Sequence, residues 1–145
     1  MKFTAKTAKQ ISEERLWPKG NYAFEILEAT DEIAKSSGNE QIKLKVKVFN
    51  DNGASQNIFD YLSSVDKMAW KLRSASEACG LLSDYEKQHL EAYQFVGKTG
   101  YCEVFIQPER NGFEAKNSIG KYLTDNVETA PKTMKEALNG DDVPF

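Results

Sequence analysis

Residues 41–49 read Gln41-Ile42-Lys43-Leu44-Lys45-Val46-Lys47-Val48-Phe49. Apolar and charged residues alternate without a break, the period of two that sends successive side chains to opposite faces of a strand. Ile42, Leu44, Val46 and Val48 therefore face a core, and Lys43, Lys45 and Lys47 face away from it. Asp51-Asn52-Gly53 turns the chain into a third strand near Gln56 to Leu62, completing a hairpin. Before the central strand, Ser36-Ser37-Gly38-Asn39 makes a loop. The first strand, Asn21 to Thr30, puts Tyr22, Phe24 and Ile26 on one face, although Glu25 and Glu28 do not fit one strict alternation. Trp17-Pro18-Lys19-Gly20 is a turn that closes an N-terminal basic arm, residues 1–20.

Downstream, Ser63-Ser64-Val65-Asp66 has the S-x-x-D form of a helix start. Met68, Leu72, Ala75 and Cys79 follow on one stripe, with Gly80 as the C-terminal cap. This predicts a helix over about 65–79, with a short second one between Asp84 and Tyr93. Gly97 and Gly100 introduce a strand from Tyr101 to Gln107, and Pro108-Glu109-Arg110-Asn111-Gly112 turns it into a last strand from Phe113 to about Tyr122. The order of elements predicts a mainly β fold, a five-stranded OB-fold Greek-key barrel with a helix between strands 3 and 4, over residues 21–123. An α+β sheet with the same order is the alternative. Residues 124–145 form a flexible C-terminal tail with at most a weak helix near 132–138 and an acidic tip at 141–145.

Length and composition agree with one domain. The chain has 145 residues, 19 Lys+Arg against 22 Asp+Glu, one His and two Cys. It contains no run of ~20 apolar residues that would span a membrane and no apolar signal-peptide core at its start, so a cytoplasmic protein is expected. Cys79 and Cys102 form no C-x-x-C pair and read as small packing residues. With His89 the only imidazole, sites built on several histidines are excluded. Asp31, Glu32 and Asp60 are scattered acids, and Gly97-Lys98-Thr99 lacks the upstream glycine of a phosphate loop. No cofactor, metal site or catalytic centre is expected; the composition points to binding.

The net charge of −3 is unevenly spread. Taking away the two charges of Asp141 and Asp142 leaves −1 for residues 1–140. In residues 1–20, five basic residues (Lys2, Lys6, Lys9, Arg15, Lys19) stand against Glu13 and Glu14, a local +3. On the central strand the lysines recur every ~6.6 Å, close to the phosphate spacing of an extended single strand of nucleic acid. Stacking of bases needs exposed rings beside such a track. Tyr101 and Phe105 share a face with Glu103, opposite Cys102, Val104 and Ile106, and are expected to point outward. Phe59 and Tyr61 share a face opposite Ile58 and Leu62, and the pattern leaves open which is the inner one. Lys116 and Lys121 would extend the basic track. Candidate DNA contacts are thus Lys43, Lys45, Lys47, Tyr61, Tyr101, Phe105, Lys116 and Lys121. Trp17 and Tyr22 read as a lid over one end of the fold, and Trp70 as core.

The last residues, Asp141-Asp142-Val143-Pro144-Phe145, have the chemistry of a ligand. The Phe145 ring can fill an apolar pocket while its α-carboxylate pairs with a cation, Pro144 limits the entropy lost on binding, and the aspartates steer towards a basic rim. This segment resembles the acidic tip of bacterial-type single-stranded DNA-binding proteins, whose terminal acidic-Ile/Leu-Pro-Phe peptide recruits replication, recombination and repair enzymes. The body is similar to a family of bacteriophage proteins of about this length often encoded near recombination genes. That likeness rests on Trp17-Pro18-Lys19-Gly20-Asn21-Tyr22, on Ser37-Gly38-Asn39-Glu40 and on the strand that follows, and covers roughly residues 17–123. Val143 replaces the usual Ile or Leu, the acids are fewer, and the long Gly/Gln-rich linker of many cellular relatives is missing.

The resemblance implies an OB-fold protein of the bacterial host cytoplasm. It would bind single-stranded DNA with little sequence preference, protect it during phage replication and recombination, and recruit partner enzymes through Asp141, Asp142, Val143, Pro144 and Phe145. A dimer or higher homo-oligomer stays open, and the alternative is an OB-like protein–protein adaptor that does not grip DNA.

Overall fold

The computed structural model describes residues 1–124; the weak helix expected near 132–138 and the tip at 141–145 lie outside the described residues. The elements are α1 (Ala8–Glu14), β1 (Gly20–Ile33), β2 (Glu40–Phe49), β3 (Ser55–Ser63), α2 (Ala69–Ala78), α3 (Leu82–Glu86), β4 (Thr99–Gln107) and β5 (Lys116–Leu123). All strand pairs are antiparallel, in one five-stranded sheet of order β3-β2-β1-β4-β5.

The alternation of β2 is realised residue by residue: Ile42, Leu44, Val46 and Val48 are buried, and the three lysines between them are half-exposed on the other face. The imperfect alternation of β1 has a local cause. The register with β2 slips between Ile26 and Glu28, a bulge that inserts Leu27 and bends the strand. Glu25 and Glu28, of opposite parity, consequently pair with Lys47 and Lys45 in turn. The core is built by Phe24, Ile26, Leu44, Val46, Ile58, Leu62, Cys102, Val104 and Ile119, closed by Ala75 of α2, by Cys79 at its C-cap and by Phe95 from a 3₁₀ turn at Ala92–Phe95. Each large aliphatic or aromatic side chain so buried contributes roughly 1.5–3 kcal/mol. Both cysteines are free and buried. Burial pushes the Cys79 thiol up to about 12 and the Cys102 thiol higher still.

Several expectations are corrected. The N-terminal arm contains a helix that its sequence reading did not give: α1 begins with a capping box in which Thr7 Oγ1 accepts the Gln10 N–H and Gln10 Oε1 accepts the Thr7 N–H. The S-x-x-D signal does not cap α2, because a 3₁₀ turn at Asp66–Met68 intervenes and Ser63 Oγ accepts the Val65 N–H instead. Gly80 ends α2 as expected, at φ +75°, with the Leu81 N–H bonded to Ser76 O. The second helix is split into α3 and the later 3₁₀ turn, which Asp31 caps by accepting the Ala92 N–H with both carboxylate oxygens at 3.1 Å. β5 starts at Lys116 rather than Phe113, since Arg110 and Phe113 pair with each other across the turn.

Trp70 is 52% exposed. Its helical neighbour Lys71 is buried instead. The Lys71 ammonium donates to Asp60 Oδ1 at 2.8 Å and to Ile119 O at 3.2 Å, and the Tyr122 hydroxyl donates to Asp60 Oδ2 at 2.7 Å. A polar cluster thus joins α2 to β3 and β5, the two outermost strands of the sheet order. A second link between those strands is the bond from Gln56 Nε2 to Asn117 Oδ1, 3.1 Å. Asn117 also accepts the Trp17 N–H and donates to Trp17 O, anchoring the arm to β5. Trp17 packs on Tyr22, ring centroids 5.2 Å apart, and both rings lie partly buried against the core.

Candidate nucleic-acid interface

The hairpin of β2 and β3 decides what its outer face carries. Because Ile58, Asp60 and Leu62 turn inward, Phe59 and Tyr61 turn outward, which settles the choice the pattern left open. The register then sets Lys43 opposite Tyr61, Lys45 opposite Phe59 and Lys47 opposite Asn57. Phe59 is 56% exposed and Tyr61 44%. Two rings ~6.7 Å apart along β3 therefore lie beside three cations at the same interval along β2. The Lys43 ammonium sits diagonally over the Phe59 ring, 4.9 Å from its centroid, which holds the lysine stem down and orients the ring.

The third row of this face, β1, is acidic. Glu28 Oε2 lies 3.2 Å from the Lys45 ammonium, and Glu25 is paired in register with Lys47. Lys47 also lies over Phe49, 5.5 Å from the ring centroid. Half-exposed pairs of this kind are screened by water and individually weak, so a competing phosphate can displace them. Their presence was missed in the sequence, where Glu28 has the wrong parity for this face and only the bulge brings it there.

Tyr101 takes the face expected of it but is not an exposed ring. Phe49, Ala23, Tyr101 and Leu123 occupy one transverse row across β2, β1, β4 and β5, and the row packs on itself as a minor apolar cluster that leaves Tyr101 6% exposed. Phe105 is half-buried. A bulge in the β4–β5 ladder places Gly120 beneath its ring, so close that a Cβ there would stand 3.3 Å from Phe105 Cδ1. Ile106, expected in the core, is exposed. Lys116 and Lys121 are exposed on β5, with Lys121 opposite Glu103. The structure therefore gathers Lys43, Lys45, Lys47 and Tyr61 with Phe59, and sets Tyr101, Phe105, Lys116 and Lys121 on the other half of the sheet.

The arm is less available than its +3 suggests. Lys6 pairs with Glu14 at 2.9 Å and Lys9 with Glu109 at 3.1 Å. Gly97 and Lys98, the start of the G-K-T triplet, are tied to Ile26 by backbone hydrogen bonds at the head of β4, where no phosphate loop forms. Among the described residues no three His, Cys, Asp or Glu side chains are grouped to hold a metal ion, and no helix is long and apolar enough to cross a membrane.

No curated protein matches the chain. A family described as "Protein of unknown function (DUF669)" matches residues 3–119, from the arm through β4 and into β5. With most of its length covered by that match, the chain belongs to the DUF669 family.

Proposed function

We propose that the protein is a non-catalytic binder of single-stranded nucleic acid that grips its ligand on the outer face of β2 and β3. The carrying observation is the register itself: Lys43 opposite Tyr61 and Lys45 opposite Phe59 alternate charge with exposed ring on one surface. Phosphates of an extended strand would displace Glu28 from Lys45 and meet Lys43 and Lys47, while unpaired bases stack on Phe59 and Tyr61 with little regard to sequence. A duplex hides the faces of its bases and gains nothing from the rings. The sheet order, together with the Asp60–Tyr122 and Gln56–Asn117 links between β3 and β5, supports an OB-type barrel, a fold used for such ligands. The resemblance of Asp141–Phe145 to a recruitment peptide supports a second task, delivery of partner enzymes to the coated strand in phage replication or recombination.

Fluorescence anisotropy with oligo-dT and a duplex of equal length tests the reading. Preference for oligo-dT is expected, with a log–log salt slope near −3 if about four phosphates are neutralised. Equal affinity for both, or a slope near zero, would sink it. One observation favours the adaptor reading: Glu25 and Glu28 supply the lysine face with its own counter-charges. An adaptor ignores both oligonucleotides in the same titration.

A further inference from the structure

At the end of the sheet away from the arm, a cavity of about 450 Å³ opens between the tips of β1 and β2, the end of β3, α2 and the segment before the 3₁₀ turn. Its floor is apolar, with Ile42, Leu62, Leu72 and Leu90, and Ile33 stands exposed at the mouth. Among the described residues its charged lining is Asp31, Glu32, Glu40 and Glu91, with no lysine or arginine. Such a site takes an apolar side chain delivered by a cationic segment. It disfavours Asp141 and Asp142, which it would repel.

The chain carries a segment of that chemistry. Residues 1–6, Met1-Lys2-Phe3-Thr4-Ala5-Lys6, form no helix or strand, and Phe3 is 74% exposed beside the exposed Lys2. The Lys6–Glu14 pair and the Trp17–Asn117 bonds hold the base of the arm at the opposite end of β1 from the cavity. Six residues reach at most ~21 Å, whereas the fourteen residues of β1 run ~45 Å along the strand. Phe3, three residues from the anchored Lys6, is therefore out of reach of its own cavity.

We infer that the cavity of one copy receives Phe3 and Lys2 of a second copy. The contact is head-to-tail: a pair joined by it keeps one free cavity on the copy that gave its arm and one free arm on the other, so further copies can add at either end. The inference goes beyond the proposed DNA binding and does not depend on it; where both hold, neighbouring copies along a strand assist each other's binding.

Sedimentation velocity of the full-length protein without nucleic acid tests it, using two variants altered only at exposed positions. Phe3→Asp disables the arm, and Ile33→Lys with Glu40→Lys disables the cavity. Expected are a sedimentation coefficient that rises with concentration for the wild type, at least tenfold weaker association for either variant alone, and a one-to-one dimer that grows no further when the two are mixed. The mixture succeeds because the first retains a cavity and the second an arm. A wild type monomeric throughout, a variant that associates like the wild type, or a mixture that stays monomeric would each overturn the assignment. Because no nucleic acid is present, either proposal can fail while the other stands.

Discussion

Lys71 on α2 and Asp60 on β3 form a buried ion pair with an Nζ–Oδ1 distance of 2.8 Å, and Tyr122 of β5 takes the second carboxylate oxygen. Burying two charges is expensive, and the cost is met here because the carboxylate accepts from both partners and the ammonium has a second acceptor at Ile119 O. Asp60→Ala leaves a buried cation unpaired and is expected to lower stability by about 3–5 kcal/mol in urea denaturation. The double variant Asp60→Leu, Lys71→Met, which removes both charges at similar volume, should recover most of that loss. A double variant as unstable as the single one would show that the pair does more than balance its own charge.

The same interior makes the protein sensitive to alkali. Burial, and then the nearby Asp60 charge, raises the Tyr122 hydroxyl well above its usual value of 10.0, and burial raises Cys79 from 9.0 to about 12. A proton bound more tightly by the folded than by the unfolded state favours folding. That contribution is complete below the unfolded-state pKa and disappears as pH rises through the folded-state value, at up to about 1.4 kcal/mol per pH unit for each group. Urea midpoints should therefore hold steady from pH 7 to 8.5 and fall increasingly from pH 9 to 11. Cys79→Ala should reduce, by its own share, the part of that slope that begins near pH 9, the buried Cys102 thiol contributing the remainder.

On the β2–β3 face, Phe59→Ala and Tyr61→Ala should each weaken oligo-dT binding by about 1–3 kcal/mol without moving the thermal midpoint much. Tyr101→Ala should behave oppositely. It opens the Ala23–Phe49–Tyr101 cluster and is expected to cost about 3 kcal/mol of stability, with oligo-dT affinity little changed where the protein remains folded. Anisotropy beside thermal melts separates the two classes.

Glu28→Gln frees Lys45 from its counter-charge. Tighter oligo-dT binding at low salt is expected, because a phosphate no longer has to displace Glu28 from Lys45, with the log–log salt slope little changed. An unchanged low-salt affinity would place Lys45 outside the path of the strand.

Exchanging Asp141 and Asp142 for Asn tests whether the acidic tip competes with nucleic acid for the lysine face. Low-salt affinity for oligo-dT should rise, and the difference should vanish above about 0.3 M salt, where the Debye length is well under 10 Å. Equal affinities at low salt would reject the competition.

How much of this was legible varies with the range of the interaction that decides each residue. The β2 pattern was readable because strand parity is a property of adjacent residues, and the same parity put Phe59 and Tyr61 on one face. Trp70 was misread by its hydrophobicity, although the helical period already separated it from the stripe of Met68, Leu72, Ala75 and Cys79 and brought Lys71 close to it. The Thr7-x-x-Gln10 box that starts α1 was likewise present as a local signal. By contrast, the role of Glu28 depends on a bulge, and the burial of Tyr101 on three partners from three other strands.

By itself the sequence determined the strand periods, the turns, the C-terminal cap at Gly80 and the segregation of charge between arm, β2 and tip, because each follows from backbone sterics or from side chains a few positions apart. Tertiary structure alone decided which aromatic rings reach solvent, which lysines are already paired, and that Asp60, Lys71 and Tyr122 meet in one buried cluster. Those outcomes depend on register across strands distant in sequence, and a single inserted residue such as Leu27 is enough to move a carboxylate from one face to the other.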